Sequence, residues 1–266
     1  MAIGYLLFRT FAWLISRLPF RLLYIKADVL AFIIHRIAGY RRGVVMDNLK
    51  RAFPEKNEAD LKAIASRYYR NLADVILETL KVETMEEKDF RERIHLEGKE
   101  VMDQLYDKGR NCMLAIGHQG NWEWLGPGMQ TYLQQHCYAV IKPLKNKHFH
   151  DYLEGLRSKF FANRTIPFKM TLRHLLQKKE EVYQVIIAAD QTPTIEEARY
   201  WTLFLNQETP FFEGLEKISA RLGMAVCYLD MFRTARGRYT ARFTLITEDG
   251  SKESEGYVTQ KYIDLL

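Results

Sequence analysis

Between residues 58 and 81, apolar side chains recur at intervals of three and four. Leu61, Ile64, Ala65, Tyr68, Leu72, Val75 and Ile76 fall on one side of a helical wheel, so Glu58 to Lys81 is predicted to be an amphipathic helix. After Lys81 the pattern changes to short apolar runs separated by helical stretches. Cys112 to Ile116, Tyr138 to Ile141, Val182 to Ala189, Ala225 to Phe232 and Tyr239 to Ile246 read as strands, the last two joined by a turn at Arg236-Gly237. Lys99 to Asp107, Asn121 to Gln135, His148 to Phe160, Thr171 to Lys179 and Glu213 to Leu222 read as helices, with Gly109 and Gly223 just past the ends of the first and last. This alternation predicts an α/β fold: a single domain with a mixed, mostly parallel sheet flanked by helices. In such sheets, sites gather at the carboxyl ends of strands, where loops and helix N-termini meet.

The first 37 residues are apolar in bulk but never free of charge for long. Arg9, Arg17, Arg21, Lys26, Asp28 and Arg36 interrupt them, and Pro19 breaks any helix in the middle. The longest charge-free run, Met1 to Phe8, falls far short of the roughly 20 apolar residues that a spanning helix needs. A signal peptide fits poorly, because the charges are not confined to the start and no cleavage site stands out. Two helices lying in a membrane interface fit better, with Trp13 and Tyr24 at headgroup depth. Core helices packed on the domain are the plainer alternative. The expected organisation is a membrane-associated helical segment over 1–40 followed by one domain over 41–266.

Composition adds little to this, since 266 residues at 47% hydrophobic suffice for one large domain with a full core. Charge adds more. The formal net charge is +6, yet residues 1–53 hold nine Lys and Arg against only Asp28 and Asp47, and the remainder is balanced. The basic residues are interleaved with Leu, Ile, Phe and Trp, which points to an anionic membrane surface and away from nucleic acid. The three cysteines, Cys112, Cys137 and Cys227, form no C-x-x-C pair and read as free buried thiols in a reducing compartment.

The sharpest candidate chemistry is Gly117-His118-Gln119-Gly120-Asn121-Trp122-Glu123-Trp124, which leaves a strand and enters a helix. On one straight helix His118 and Glu123 would lie about 140° apart. They can meet only if His118 sits on the loop and Glu123 in the first helical turn, with Gly120 permitting the bend and Asn121 as N-cap. A histidine beside a carboxylate makes a general base. No G-x-S-x-G accompanies it and no cysteine adjoins it, so the base would activate an alcohol directly. Asp190-Gln191 follows a strand directly and shares the sheet edge of His118 if the two strands run parallel. It either shapes the site or merely caps the turn before Pro193. Thr209 to Gly214 reads as the opening of a helix, either a hydrophobic staple or a set of N–H groups for an oxyanion or phosphate. His148-Phe149-His150 lacks a third ligand nearby and reads as a surface helix start, so no metal is expected.

These residues resemble a known family. Gly117 to Trp124 is similar to the H-x4-D/E motif of the lysophospholipid acyltransferase superfamily, and its Asn-Trp-Glu form resembles the lipid A late acyltransferases. Arg42 to Pro54 is similar to that branch's Asn-Leu…Phe-Pro block. Lys142 to Asn146, Arg157, Asp190-Gln191 and Thr209 to Gly214 fall in family order. Two places depart from it: Phe204-Leu205-Asn206 stands where the family has an aromatic-Gly pair, and the chain stops at Leu266, within a helix, as a fragment or shortened variant would.

The resemblance implies an O-acyltransferase with His118 as base and Glu123 as its partner, and with Arg157, Asp190, Gln191, Thr209, Gly120 and Asn121 around the substrates. It implies no cofactor, with acyl-acyl carrier protein or acyl-CoA as co-substrate and donor. The acceptor would be a hydroxyl of a lipid A precursor or related lipid, at the cytoplasmic face of the bacterial inner membrane. A catalytically inactive lipid-binding protein on the same fold, or a lipid hydrolase, is the alternative.

Overall fold

The computed structural model describes residues 2–160, 165–178 and 182–266. The chain divides into two compact units. The first comprises Met1–Thr84 with Thr202–Thr209, the second Met85–Trp201 with Pro210–Leu266.

The first unit is helical: α1 (Ala2–Arg17), α2 (Phe20–Phe32) continuing into a π turn (Ile33–Ile37), α3 (Arg42–Ala52) and α4 (Glu58–Lys81). Pro19 separates α1 from α2, and the α4 boundaries are those predicted. Asn57 caps α4 by accepting the Asp60 N–H, and Glu58 and Asp60 add negative charge to its first turn. The inner face of α4, including Leu61, Ala65, Tyr69, Ala73 and Leu77, is buried, as are Ala12, Leu23 and Ala27 of the two helices before it. Polar contacts fix the packing: Tyr24 Oη donates to Glu78 Oε1 at 2.8 Å, and Lys81 Nζ to the Ser16 carbonyl at 2.6 Å. Tyr24 is therefore half-buried, with its hydroxyl turned to α4. Trp13 is exposed, with the Arg17 guanidinium over its ring at 3.9 Å.

A second apolar face on α1 and α2 has nothing over it within this unit. Ile3, Leu7, Phe11 and Leu14 on α1, and Leu22, Ile25, Val29 and Phe32 on α2, are exposed at helical spacing. Among the described residues no helix is long and apolar enough to cross a membrane.

The second unit is the α/β domain. In chain order it holds α5 (Glu87–Arg93), β1 (Ile94–Glu97), α6 (Lys99–Asp107), β2 (Cys112–Ile116), α7 (Leu125–Gln130), β3 (His136–Ile141), α8 (Lys147–Arg157), β4 (Thr165–Pro167), α9 (Thr171–Leu176) and β5 (Tyr183–Ala188). The hairpin of β6 (Tyr200–Phe204) and β7 (Gln207–Phe211) comes next along the chain, its residues 202–209 belonging to the first unit, and is followed by α10 (Gly214–Leu222), β8 (Ala225–Ala235), β9 (Arg238–Thr247) and α11 (Tyr257–Leu265). The main sheet has seven strands in the order β1-β9-β8-β2-β5-β3-β4, and only the β8/β9 pair is antiparallel. It is the mostly parallel sheet the alternation predicts, and the helices flank it. β2 is fully buried, as a central parallel strand covered on both faces must be.

Several boundaries differ from the prediction. Asn121 to Gln135 is not one helix: a 3₁₀ turn (Trp122–Trp124) leads into α7, which ends at Gln130. The helix predicted over Thr171 to Lys179 ends at Leu176, and Lys179 lies outside the described residues. Thr209 to Phe211 is strand, and the helix opens only at Gly214, so the expectation of helical N–H groups at Thr209 is corrected. The β6/β7 hairpin turns at Leu205 and Asn206, which both adopt left-handed φ values of 48° and 61°. A two-residue hairpin loop with φ positive twice is the primed turn whose twist matches its strands.

Candidate active site

β2 and β5 run parallel, with Ile116 opposite Ala188. The pairing continues one step, as Ala189 N–H donates to the Ile116 carbonyl at 3.3 Å. The chain then emerges from both strands at one sheet edge, so His118 and Asp190, 72 residues apart, arrive side by side. Asp190 holds the histidine twice: Oδ1 lies 2.7 Å from Nδ1, and Oδ2 accepts the His118 backbone N–H at 2.7 Å. A carboxylate accepts only, so Nδ1 carries the hydrogen and Nε2 is the accepting nitrogen of the ring. Gln191 Nε2 stands 3.4 Å from that nitrogen, and the Trp122 ring meets the imidazole edge-on at 5.2 Å.

Electrostatics follow from this geometry. The Asp190 hydrogen bond lifts the His118 pKa above the ordinary histidine value, against the opposing effect of burial; Asp190 and Glu123 charges add to the rise and Arg157 subtracts from it. Burial works against ionisation of Asp190, but the two hydrogen bonds from His118 outweigh it and hold the carboxyl below its usual range. The ring is partly accessible, with about a third of the side chain exposed.

Glu123 takes a different place from the one expected of it. Its carboxylate is held in a bidentate pair by Arg157, Nε to Oε2 at 2.8 Å and Nη2 to Oε1 at 2.6 Å. The carboxylate in contact with the imidazole is that of Asp190, whereas Glu123 acts on it through space. Arg157 comes from the last turn of α8. Burial disfavours its charge, yet the hydrogen bonds and charge of Glu123 raise its pKa. The planar fork suits a carboxylate in this way, and a second anion can meet its remaining N–H groups.

The loop between them is built on two local devices. Gly120 has φ +55°, and a Cβ there would collide with the Met231 carbonyl oxygen on β8, so only glycine lets the loop pass so close. Asn121 is buried and accepts the Trp124 N–H at 3.3 Å, capping the turn that carries Glu123. Around them lies a polar frame that sequence reading misses: Tyr228 Oη donates to Gln119 Oε1 at 3.1 Å and Tyr262 Oη to the Ile116 carbonyl at 2.9 Å. Burial pushes both phenols up, so they stay hydroxyl donors. Their signal in the sequence is slight, a tyrosine inside an apolar strand and another in the last helix.

Residues 2–266 match the sequence profile described as bacterial lipid A biosynthesis acyltransferase. The chain belongs to that family. A search of curated proteins gives no significant match.

For a lipid A acyltransferase the remaining candidates sort as follows. Thr209 lies in the first compact unit, its hydroxyl on the Gln207 carbonyl at 3.0 Å. His148 and His150 lie at the start of α8, which Asn146 caps. Among the described residues no group of three potential ligands could hold a metal ion. All three cysteines are buried; burial raises the Cys112 thiol well above its ordinary value and pushes Cys227 up to about 12, so both stay protonated.

Proposed function

We propose that the protein transfers a fatty acyl group from an acyl thioester to a hydroxyl of a lipid A precursor or related lipid, with His118 as general base. The acceptor O–H gives its proton to Nε2 as its oxygen attacks the thioester carbonyl. The C–S bond then breaks, the imidazolium returns the proton to the departing sulfur, and an ester and a free thiol result. Asp190 fixes the tautomer and steadies the imidazolium. Glu123 orients Arg157 towards the anionic part of a substrate and adds negative charge near the ring. The Gly120 N–H, which has no acceptor among the described residues, is available to the oxyanion. An acyl carrier protein or coenzyme A thioester supplies the donor, and no metal or cofactor is needed.

The observation that carries this reading is a histidine whose Nδ1 is held by a carboxylate, which leaves Nε2 as its proton-accepting nitrogen, in a chain of this family. The exposed apolar stripes of α1 and α2, interleaved with Arg9, Arg17, Arg21, Lys26 and Arg36, support a location on the cytoplasmic face of the inner membrane, lying in the interface. The test is His118→Ala in the purified full chain with acyl thioester and lipid acceptor: transfer should fall by about 10²–10⁴. Near-normal transfer would overturn the assignment. Fatty acid release without acceptor would make the protein a hydrolase, and lipid binding without turnover in the unaltered protein would make it a binding protein.

A further inference from the structure

The helical first unit contains a hollow of about 230 Å³ between the π turn, the start of α3 and the first half of α4. Its walls carry Arg36, Arg42, Lys50 and Lys62 with His35, against the single carboxylate of Glu58. That carboxylate is taken by Lys62, 2.7 Å away one helical turn on. Among the described residues Arg36, Arg42 and Lys50 form no ion pair. Three cations gathered around a concavity repel one another, and the concave wall focuses their field on whatever enters. The floor is aromatic: the His35 ring stacks on Tyr69 at 4.4 Å, and Tyr69 Oη donates to the Tyr40 carbonyl at 2.7 Å. Burial first, and then the Arg36 and Arg42 charges, lower the His35 pKa, so the field is felt inside the hollow. Arg42 and Val45 of the first turns of α3 line it as well, so the positive end of that helix adds to the potential.

We infer that this hollow is a binding site for the phosphate group of a membrane lipid, separate from the acyl-transfer residues. Two guanidinium groups and an ammonium provide the forked and point donors that phosphate recognition uses. The volume lies below the usual range for a whole drug-sized ligand, which fits a headgroup whose chains stay outside. Exposed apolar side chains next in sequence to its lining residues, Ile37 after Arg36 and Val44 before Val45, offer those chains an apolar surface and favour a lipid over free phosphate. An acidic protein surface is disfavoured, because a flat patch does not enter a concavity. The neighbouring hollow that shares His35, Arg36 and Tyr69 holds Asp28, 3.4 Å from Arg70, and is the poorer anion site.

The test uses the full chain and dihexanoyl phosphatidic acid below its micelle concentration, followed by calorimetry and by the His35 and Tyr69 NMR signals. Saturable one-to-one binding is expected. Replacing Arg36, Arg42 and Lys50 together by Gln should weaken it at least about tenfold, the loss of one or more charge-assisted hydrogen bonds. Replacing Arg21, Lys26 and Arg51 by Gln removes equal charge outside the hollow and should change it less than about twofold. Lys50→Gln alone, an exposed helix position, serves if the triple variant does not fold. Equal losses in both triple variants would reduce the site to diffuse surface charge. Inorganic phosphate displacing the lipid at equal concentration would assign the hollow to a soluble phosphate. Loss of acyl carrier protein binding with lipid binding intact would assign it to the carrier. His118→Ala should bind the lipid as the unaltered protein does, so failure here and failure of the catalytic reading are separable.

Discussion

The two compact units place their apolar side chains in opposite ways. In the sheet unit every residue of β2 points into a covered interior, and the polar groups at its end are bonded in an ordered frame. In the helical unit α1 and α2 bury one face on α4 and leave a second apolar face outward, with cations between its side chains. Apolar content alone does not distinguish these regions. What differs is whether the hydrophobic surface is satisfied by the protein itself or reserved for something else.

Leucine deletions put this contrast to its hardest test. Leu114→Ala in β2 should cost about 2–5 kcal/mol, the usual sum of lost transfer energy and a residual cavity. Leu7→Ala on the outer face of α1 should leave thermal stability within about 0.5 kcal/mol and instead weaken partitioning to phospholipid vesicles. Denaturant unfolding and vesicle sedimentation of the two variants measure both. Equal stability losses would mean that the outer face of α1 is core after all.

Next in size is Asp190→Asn, which keeps the shape of the dyad and removes its charge. Transfer should fall by about 10²-fold or more, the usual range for disabling general-base catalysis, and the acidic limb of the rate profile should move to lower pH. The sign follows from the shift: His118 works as a base only when neutral, and Asp190 raises its pKa, so activity drops as pH falls through that raised value. The same pair couples stability to pH. The His118 share is complete below the ordinary histidine value and is lost as pH rises through the raised one. The Asp190 share is complete above the ordinary carboxyl value and is lost as pH falls through the lowered one. Rate–pH profiles of both proteins decide this, and an unmoved limb would assign the orienting role to Glu123 instead.

The smallest effect expected is at the other pair. Glu123→Gln should leave the acidic limb within a few tenths of its position, since it removes only a through-space charge, while raising KM by roughly tenfold through a less ordered Arg157. Steady-state kinetics with varied acceptor separate KM from kcat and so distinguish a positioning residue from a direct partner of the base.

How much of this was legible follows from range along the chain. α4, α6 and β2 match the sequence pattern residue for residue because each is specified locally, by periodicity or by a short run of apolar residues. β1 and β4, four and three residues long, carry too few positions for a pattern. The run Asn121 to Gln135 misled because its apolar spacing continues past Gln130, where the chain turns. Thr209 to Gly214 misled because Thr-Pro before aromatic residues looks like a helix start, while the strand there is made by pairing with β6. The site shows the same division. His118, Gly120 and the Asn121 cap are local and were visible. The pairing of Glu123 with His118 rests on the family resemblance and a bend at Gly120, whereas the carboxylate in contact with the ring is brought there by the register of β2 against β5, which no local pattern contains.

The double grip of Asp190 on His118 reaches further than protonation. One carboxylate ties both the main chain and the ring of the same residue, so the imidazole cannot swing without pulling its own backbone along. In the proposed mechanism, this holds the proton-accepting nitrogen at one point. An incoming alcohol has to bring its oxygen to that point, and a lipid whose hydroxyl hangs an ångström too short or too far finds no side chain willing to lean towards it.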